Sequence, residues 1–434
     1  MLLELYGEKV MGTKDIDYLF ALCRKRLYGD NAQNVDLYNM NLDINSLKDM
    51  IVENSLSAFL YSVIKAYDDI HHTLAEETLK GIGQSTQFVM MSELCKGQII
   101  RIIAKEAENR GLNFVFFKGI VISDLYPQYA ERTSCDSDIL VSDEEKSAAE
   151  ELLIDCGYVK DKERSKENVQ VYDNHTYKHT VELHTRLWED YEGPRIETLK
   201  KIKLSCPETN IRTTACGIEV NTLGYEKHLV YQLFHIIKHF SLNGIGIRYL
   251  IDITLFVNKY FAEIDFDQFW KHMDMLGYTK FVEAFFKICI TELQMTGKVF
   301  DNHKIIFDRS VDELKTDLLN VGNINDKEAG WQIMGAMEAY FTGEAVAPES
   351  KLKRELSMIF PSLKALPKKY EYARKCPILL PVAWIHRDIQ FLIKKAVHKD
   401  DFYGVAEKIN VGEKRLHLID DLGLASQAKM EETA

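Results

Sequence analysis

The chain has 434 residues, 46 % of them hydrophobic and 28 % charged, with only 8 Pro and 23 Gly. This excludes a long disordered protein and leaves room for about two to three domains or one large helical array. A net charge of −12 and a pI of about 5.6 exclude a general nucleic-acid coat, which needs a basic face, but allow a local basic pocket around one nucleotide.

The first residues, "MLLELYGEKVMGTKD", lack a basic segment followed by an apolar run, so no signal peptide is expected. No apolar stretch reaches the ~18 residues of a spanning helix. Eight scattered cysteines form no CxxC pair, which points to reduced thiols rather than disulfides or a zinc site. A soluble, cytoplasmic protein is expected.

Residues 14–110 carry apolar positions at helical spacing, in "DIDYLFALCRKRL", "SLKDMIVENSLSAFLYSVIKAY" and a long stretch that stops at Gly111. The texture then changes. "FVFFKG" (114–119) reads as a buried strand, followed by a short helix and loop. "DSDILVS" reads as a second strand, and "SDEEKSAAEELLIDCGY" (142–158) as a helix capped by Ser142 and ended by Gly157. "VQVYD", "TVELHTRLW" and "GIEVNTL" read as further strands. From Tyr225 the helical periodicity returns, and an amphipathic helix is expected over 376–397. The expected fold is α+β: a small mixed sheet (111–224) between an N-terminal helical region (1–110) and a C-terminal one (225–434).

Asp136 and Asp138 share one face of the second strand, with Leu140, while Ser137, Ile139 and Val141 take the other. Two carboxylates at this spacing repel unless a cation neutralises them. Mg²⁺ takes one or two carboxylates together with waters and substrate phosphates. Two such ions about 3.5–4 Å apart can clamp an in-line phosphoryl displacement. Glu182, between apolar Val181 and Leu183 on a later strand, is the candidate third acid, because a charge there costs free energy unless paired or ligated. The simpler alternative is three solvated acids on an edge strand.

These residues resemble a known group. Lys118-Gly119 after a strand, Tyr126-Pro127, Arg132, the Asp136-x-Asp138 strand, a helix ending Gly157-Tyr158 and the acid-Leu-His of "VELHTRLW" look like the uncharacterised nucleotidyltransferase family of the DNA polymerase β-like superfamily. The likeness runs from about 110 to 260. Two positions depart from the wider superfamily: Ile120 follows Gly119 where Gly or Ser is usual, and Ser137 stands where an apolar residue is usual.

The resemblance implies Mg²⁺- or Mn²⁺-dependent transfer of a nucleoside monophosphate from a nucleoside triphosphate to a hydroxyl acceptor, releasing pyrophosphate. It implies that Asp136, Asp138 and Glu182 hold metal, and that Glu182 activates the acceptor. Gly119 would let the triphosphate approach the backbone, and Lys118 and Arg132 would steady its oxygens. A small molecule or protein acceptor fits the acidic chain better than long RNA. The alternative is a degenerate relative that binds nucleotide, or a partner, without turnover.

Other candidates have plainer readings. His184 shares the face of Glu182 and is a candidate beside it. His228, His235 and His239 lie on one helix face; a packed helix interface is the simpler account, as no acid or cysteine completes a metal set. Lys238 beside them could reach a phosphate or point to solvent. Asp252 is expected to pair with Arg248, one turn earlier. Nothing marks Cys135 as a nucleophile.

Overall fold

The computed structural model describes residues 13–33, 44–71, 76–188, 195–204, 207–307, 309–319, 370–387, 389, 414–415 and 417–424. It is a mixed α+β fold, as expected, with a seven-stranded mixed sheet flanked by helices. Helices α1 (Thr13–Tyr28), α2 (Ile44–Glu53), α3 (Ser57–His71) and α4 (Glu76–Asn109) precede the sheet. Within it stand β1 (Val115–Phe117), α5 (Gly119–Ser123), β2 (Asp136–Leu140), α6 (Lys146–Asp155), β3 (Val159–Asp161), β4 (Val169–Asn174), β5 (His179–His184), α7 (Arg195–Ile202), β6 (Ile211–Ala215) and β7 (Ile218–Thr222). Then come α8 (Tyr225–Asn243), α9 (Arg248–Tyr260), α10 (Phe266–Leu276), α11 (Thr279–Leu293) and α12 (Val311–Leu319).

The strand order is β3-β4-β5-β2-β1-β7-β6. β2 pairs antiparallel with β1 and parallel with β5. The side-chain period of two sorts each strand between two cores. On the back face, Phe116, Ile139, Val141, Val181, Leu183 and Val220 pack with Ile99, Ile100 and Ile103 of α4 and Leu152 and Leu153 of α6. On the front face, Val115, Phe117 and Leu140 join a larger cluster that includes Leu229 and Leu233 of α8, Ile251 of α9 and Phe20 of α1. Both faces are therefore covered. That leaves the front edge, where the acids start β2, as the place a cleft can open.

Two elements differ in detail from the sequence reading. The helix expected over 142–158 forms over 146–155, because Ser142 Oγ accepts the Glu145 N–H (3.2 Å) in a preceding turn, and the Glu145 carboxylate reaches across to Asn113 N (2.9 Å). β3 and β6 carry no clear apolar run; they are added by their antiparallel pairing to β4 and β7. Of the amphipathic helix expected over 376–397, residues 380–387 are helical, and 388 and those beyond 389 lie outside the described residues.

Candidate active site

The parallel register of β2 and β5 sets Asp138 beside Glu182 and Leu140 beside His184, all on the front face. One oxygen of Asp138, one of Glu182 and one ring nitrogen of His184 lie within 4.8 Å of each other, a spacing that a single metal ion could bridge. Two hard oxygens and an imidazole suit a divalent ion such as Mn²⁺ or Mg²⁺. Asp136, two residues back on the same face, stands outside that trio. It has no hydrogen-bond or ion-pair partner among the described residues, so its carboxylate is available to a cation.

Lys118 follows Phe117, which pairs with Asp138. Strand alternation would send residue 118 to the back face with Phe116. Instead its backbone turns, with φ 52° and ψ −126°. A positive φ in a non-glycine residue is uncommon and costs of order 1–3 kcal/mol. The turn is held by a hydrogen bond from the Lys118 N–H to His228 Nε2 (3.0 Å). The side chain is thereby brought to the front, where Nζ donates to Asp138 Oδ1 (2.7 Å) and lies 5.5 Å from the Tyr231 ring and 5.7 Å from the Phe117 ring.

The charges follow from this packing. Burial opposes the Lys118 ammonium, but Asp138 and its neighbouring acids outweigh that and hold its pKa well above the ordinary value. Burial likewise opposes the Asp138 carboxylate, yet Lys118 and His184 pull its pKa down to about 2. His184 Nε2 donates to Asp138 Oδ1 (2.9 Å) and lies 3.5 Å from Glu182 Oε2. Those two acids raise its pKa against burial, while His184 helps to lower that of Glu182. Asp136 goes the other way. Burial, and then repulsion from Asp138, push its pKa up to about 6.

Arg132 and Gly119 meet each other. Arg132 grips Asp252 with two bonds, Nε to Oδ1 (2.9 Å) and Nη2 to Oδ2 (2.8 Å), and Tyr126 donates to the same carboxylate (2.8 Å). Its Nη1 would stand 2.7 Å from a Cβ on residue 119, so glycine there makes room for the guanidinium. The expected Asp252–Arg248 pair is replaced by this one. Arg248 instead donates to Thr133 O (2.8 Å) and lies over the Tyr249 ring. From the other side, Glu93 of α4 accepts from the Ser134 N–H (3.1 Å) and hydroxyl (2.9 Å), with Lys96 bonded to Glu93 and to Ser134 O. The loop leading into Asp136 is thus clamped by buried charges from α4 and α9.

Ser137 points away from the acids. Its hydroxyl pairs with His179 Nε2 (2.8 Å), and His179 Nδ1 pairs with the Tyr158 hydroxyl (2.7 Å) in the back core. Burial holds the His179 pKa down to about 3, so this is a neutral polar chain that satisfies buried groups. Of the three helix histidines, His228 is buried beneath Lys118, whereas His235 and His239 pair through Nε2 atoms (3.0 Å) and face the cleft.

The cleft has a volume of about 420 Å³, within the ordinary range for a small-molecule site. Lys118, Gly119, Arg132, Asp136, Asp138, Glu182 and His184 all line it. Its further walls carry residues that the sequence did not single out: Arg164 and Lys166 between β3 and β4, Arg186 after β5, and the aromatic rings of Trp188, Tyr231 and Tyr249. A basic wall with aromatic faces around a carboxylate floor can hold phosphates and a flat ring next to a bound cation.

Residues 41–291, more than half of the chain, match the model of a family described as "Uncharacterised nucleotidyltransferase". No curated protein and no solved structure matches the chain. Among the described residues, no helix is long and apolar enough to cross a membrane.

Proposed function

The chain belongs to the uncharacterised nucleotidyltransferase family, and on that premise we propose that it moves a nucleoside monophosphate from a nucleoside triphosphate to a hydroxyl acceptor, releasing pyrophosphate. The observation that carries this reading is the convergence of Asp138, Glu182 and His184 on the floor of a basic cleft. Asp136, Asp138, Glu182 and His184 would hold Mg²⁺ or Mn²⁺. Once bound, such an ion supplies charge neutralisation and orientation for an in-line displacement at phosphorus.

The protein's own residues have distinct tasks. Glu182, half-buried and ionised, takes the proton of the acceptor hydroxyl. The acceptor oxygen forms a bond to the α-phosphorus as the bond from that phosphorus to the bridging oxygen of the leaving pyrophosphate breaks. Lys118 steadies phosphate oxygens. Arg132, tied to Asp252, is a positioning residue: it fixes Gly119 and the loop that delivers Asp136. Tyr231, Tyr249 or Trp188 offers a ring face to the base. The net charge of −12 favours a small molecule or a protein over long RNA as acceptor. The seven free cysteines among the described residues fit a reducing, cytoplasmic setting.

The test is incubation with labelled nucleoside triphosphates and Mg²⁺ or Mn²⁺, with pyrophosphate release as the signal. Release that is lost in Asp138→Asn is expected. Absence of release with every acceptor tried, together with nucleotide binding that ignores both metal and Asp138→Asn, would overturn it. The competing reading, a nucleotide-binding relative without turnover, is favoured by one observation: Asp138 already has an ammonium on it. Nucleotide binding without any pyrophosphate would support that reading instead.

A further inference from the structure

We propose that Lys118 serves as an exchangeable counter-ion: its ammonium occupies Asp138 in the free site and passes to the triphosphate when nucleotide and metal arrive, so that the two bind cooperatively. The proposal rests on the nucleotidyltransferase reading and names the residue through which its two ligands are linked.

Two donors converge on a single oxygen. Asp138 Oδ1 accepts from Lys118 Nζ at 2.7 Å and from His184 Nε2 at 2.9 Å. A divalent ion held by Asp138, Glu182 and His184 would need lone pairs that these hydrogen bonds now use. It would also share Asp138 with the ammonium. Like charges sharing one carboxylate repel. A metal entering alone therefore works against Lys118.

The cleft lies beside the ammonium. The Lys118 backbone is pinned by its positive φ and by His228. The Phe117 and Tyr231 rings flank Nζ. The side chain lines the cleft, so its free path leads from Asp138 into the space between the acids and α8. A triphosphate lying there gives the ammonium a new anion as Asp138 gains a new cation. Each ligand removes the obstacle to the other, which is positive linkage.

Mn²⁺ affinity of the full chain, measured by electron paramagnetic resonance with and without a nonhydrolysable nucleoside triphosphate, reads this out. Lys118→Met is expected to bind Mn²⁺ alone about tenfold tighter than wild type. Its linkage factor, the tightening of Mn²⁺ by nucleotide, should fall by a similar ratio, leaving the part due to direct contact between metal and phosphate. Lys118→Gln, which keeps length and polarity, repeats the measurement should Lys118→Met not fold. Mn²⁺ binding no tighter in the folded variant than in wild type overturns the proposal and leaves the transferase reading standing. If Mn²⁺ fails to bind wild type with nucleotide in a manner sensitive to Asp138→Asn, the transferase reading falls, and this proposal with it.

Discussion

Replacing Asp136 by Asn should stabilise the metal-free protein at neutral pH while abolishing transfer. Asp136 is isosteric with Asn, lies at the start of β2, and has a pKa raised from 3.8 to about 6 by burial and by Asp138. A carboxyl whose pKa is raised by folding favours the native state in its protonated form. That contribution is complete below 3.8 and is lost as pH rises through about 6. A shift of about two units corresponds to at most about 3 kcal/mol above pH 7. The group is half-buried at the mouth of the cleft, so screening leaves about 1–2 kcal/mol for the substitution to recover. For a chain of 434 residues that is roughly 1–2 °C in Tm. Thermal denaturation of both proteins in a chelator, from pH 4 to pH 8, gives the test. The curves should coincide near pH 4 and separate above pH 6, with the Asn protein the more stable. Adding Mn²⁺ should raise the wild type and leave the variant little changed. Equal stability at pH 8, or a less stable Asn protein, would refute the reasoning, since the carboxylate would then not be paying a cost of ionisation in the fold.

Other substitutions separate the site from its supports. Asp138→Asn leaves Lys118 buried opposite a neutral partner and should cost about 3 kcal/mol in urea denaturation. The same change should lower the His184 pKa in a proton NMR titration, because its strongest acceptor is gone. Gly119→Ala places a methyl 2.7 Å from Arg132 Nη1; about 1–3 kcal/mol of destabilisation and weaker nucleotide binding by calorimetry are expected. Arg132→Met and Asp252→Leu should each destabilise by about 3–5 kcal/mol, while the double variant recovers much of the loss; additive losses in denaturation would contradict a mutually compensating buried pair. Ser137→Ala breaks a chain in the back core and should cost about 1–2 kcal/mol with kcat unchanged, which a pyrophosphate assay would reveal.

How far the sequence reached depends on the kind of contact. Strand alternation put Asp136, Asp138 and Leu140 on one face and Ser137 on the other, because the period of two is a local property. It also grouped His184 with Glu182. Only the parallel pairing of β2 with β5, more than 40 residues apart in the chain, brings those two beside Asp138. Local rules misassigned Asp252: Arg248 is one helical turn away, but Arg132, 120 positions distant, offers the two-pronged geometry that a buried carboxylate needs. Lys118 was legible as a charge at a strand end, but its aim was not, since nothing in the residue type signals a positive φ. Glu93 and Lys96, three apart on α4, look like a surface pair in sequence and are buried only because the loop at Ser134 folds onto them.

The three acids are not equivalent, and the difference orders events in the proposed site. Asp138 is neutralised twice, by Lys118 and His184. Glu182 shares His184. Asp136 takes a hydrogen bond from neither, and burial and Asp138 raise its pKa further than the more distant Lys118 and Arg248 lower it. A cation entering from the cleft therefore finds its least contested ligand at Asp136, which the Glu93 and Asp252 clamps hold in place before anything binds. Asp138 becomes available only as Lys118 departs. Arg132 already commits Nε and Nη2 to Asp252. The residue that makes room for the metal and the residue that receives the phosphate are then the same one, Lys118, and the backbone turn at φ 52° is what lets a single side chain reach both.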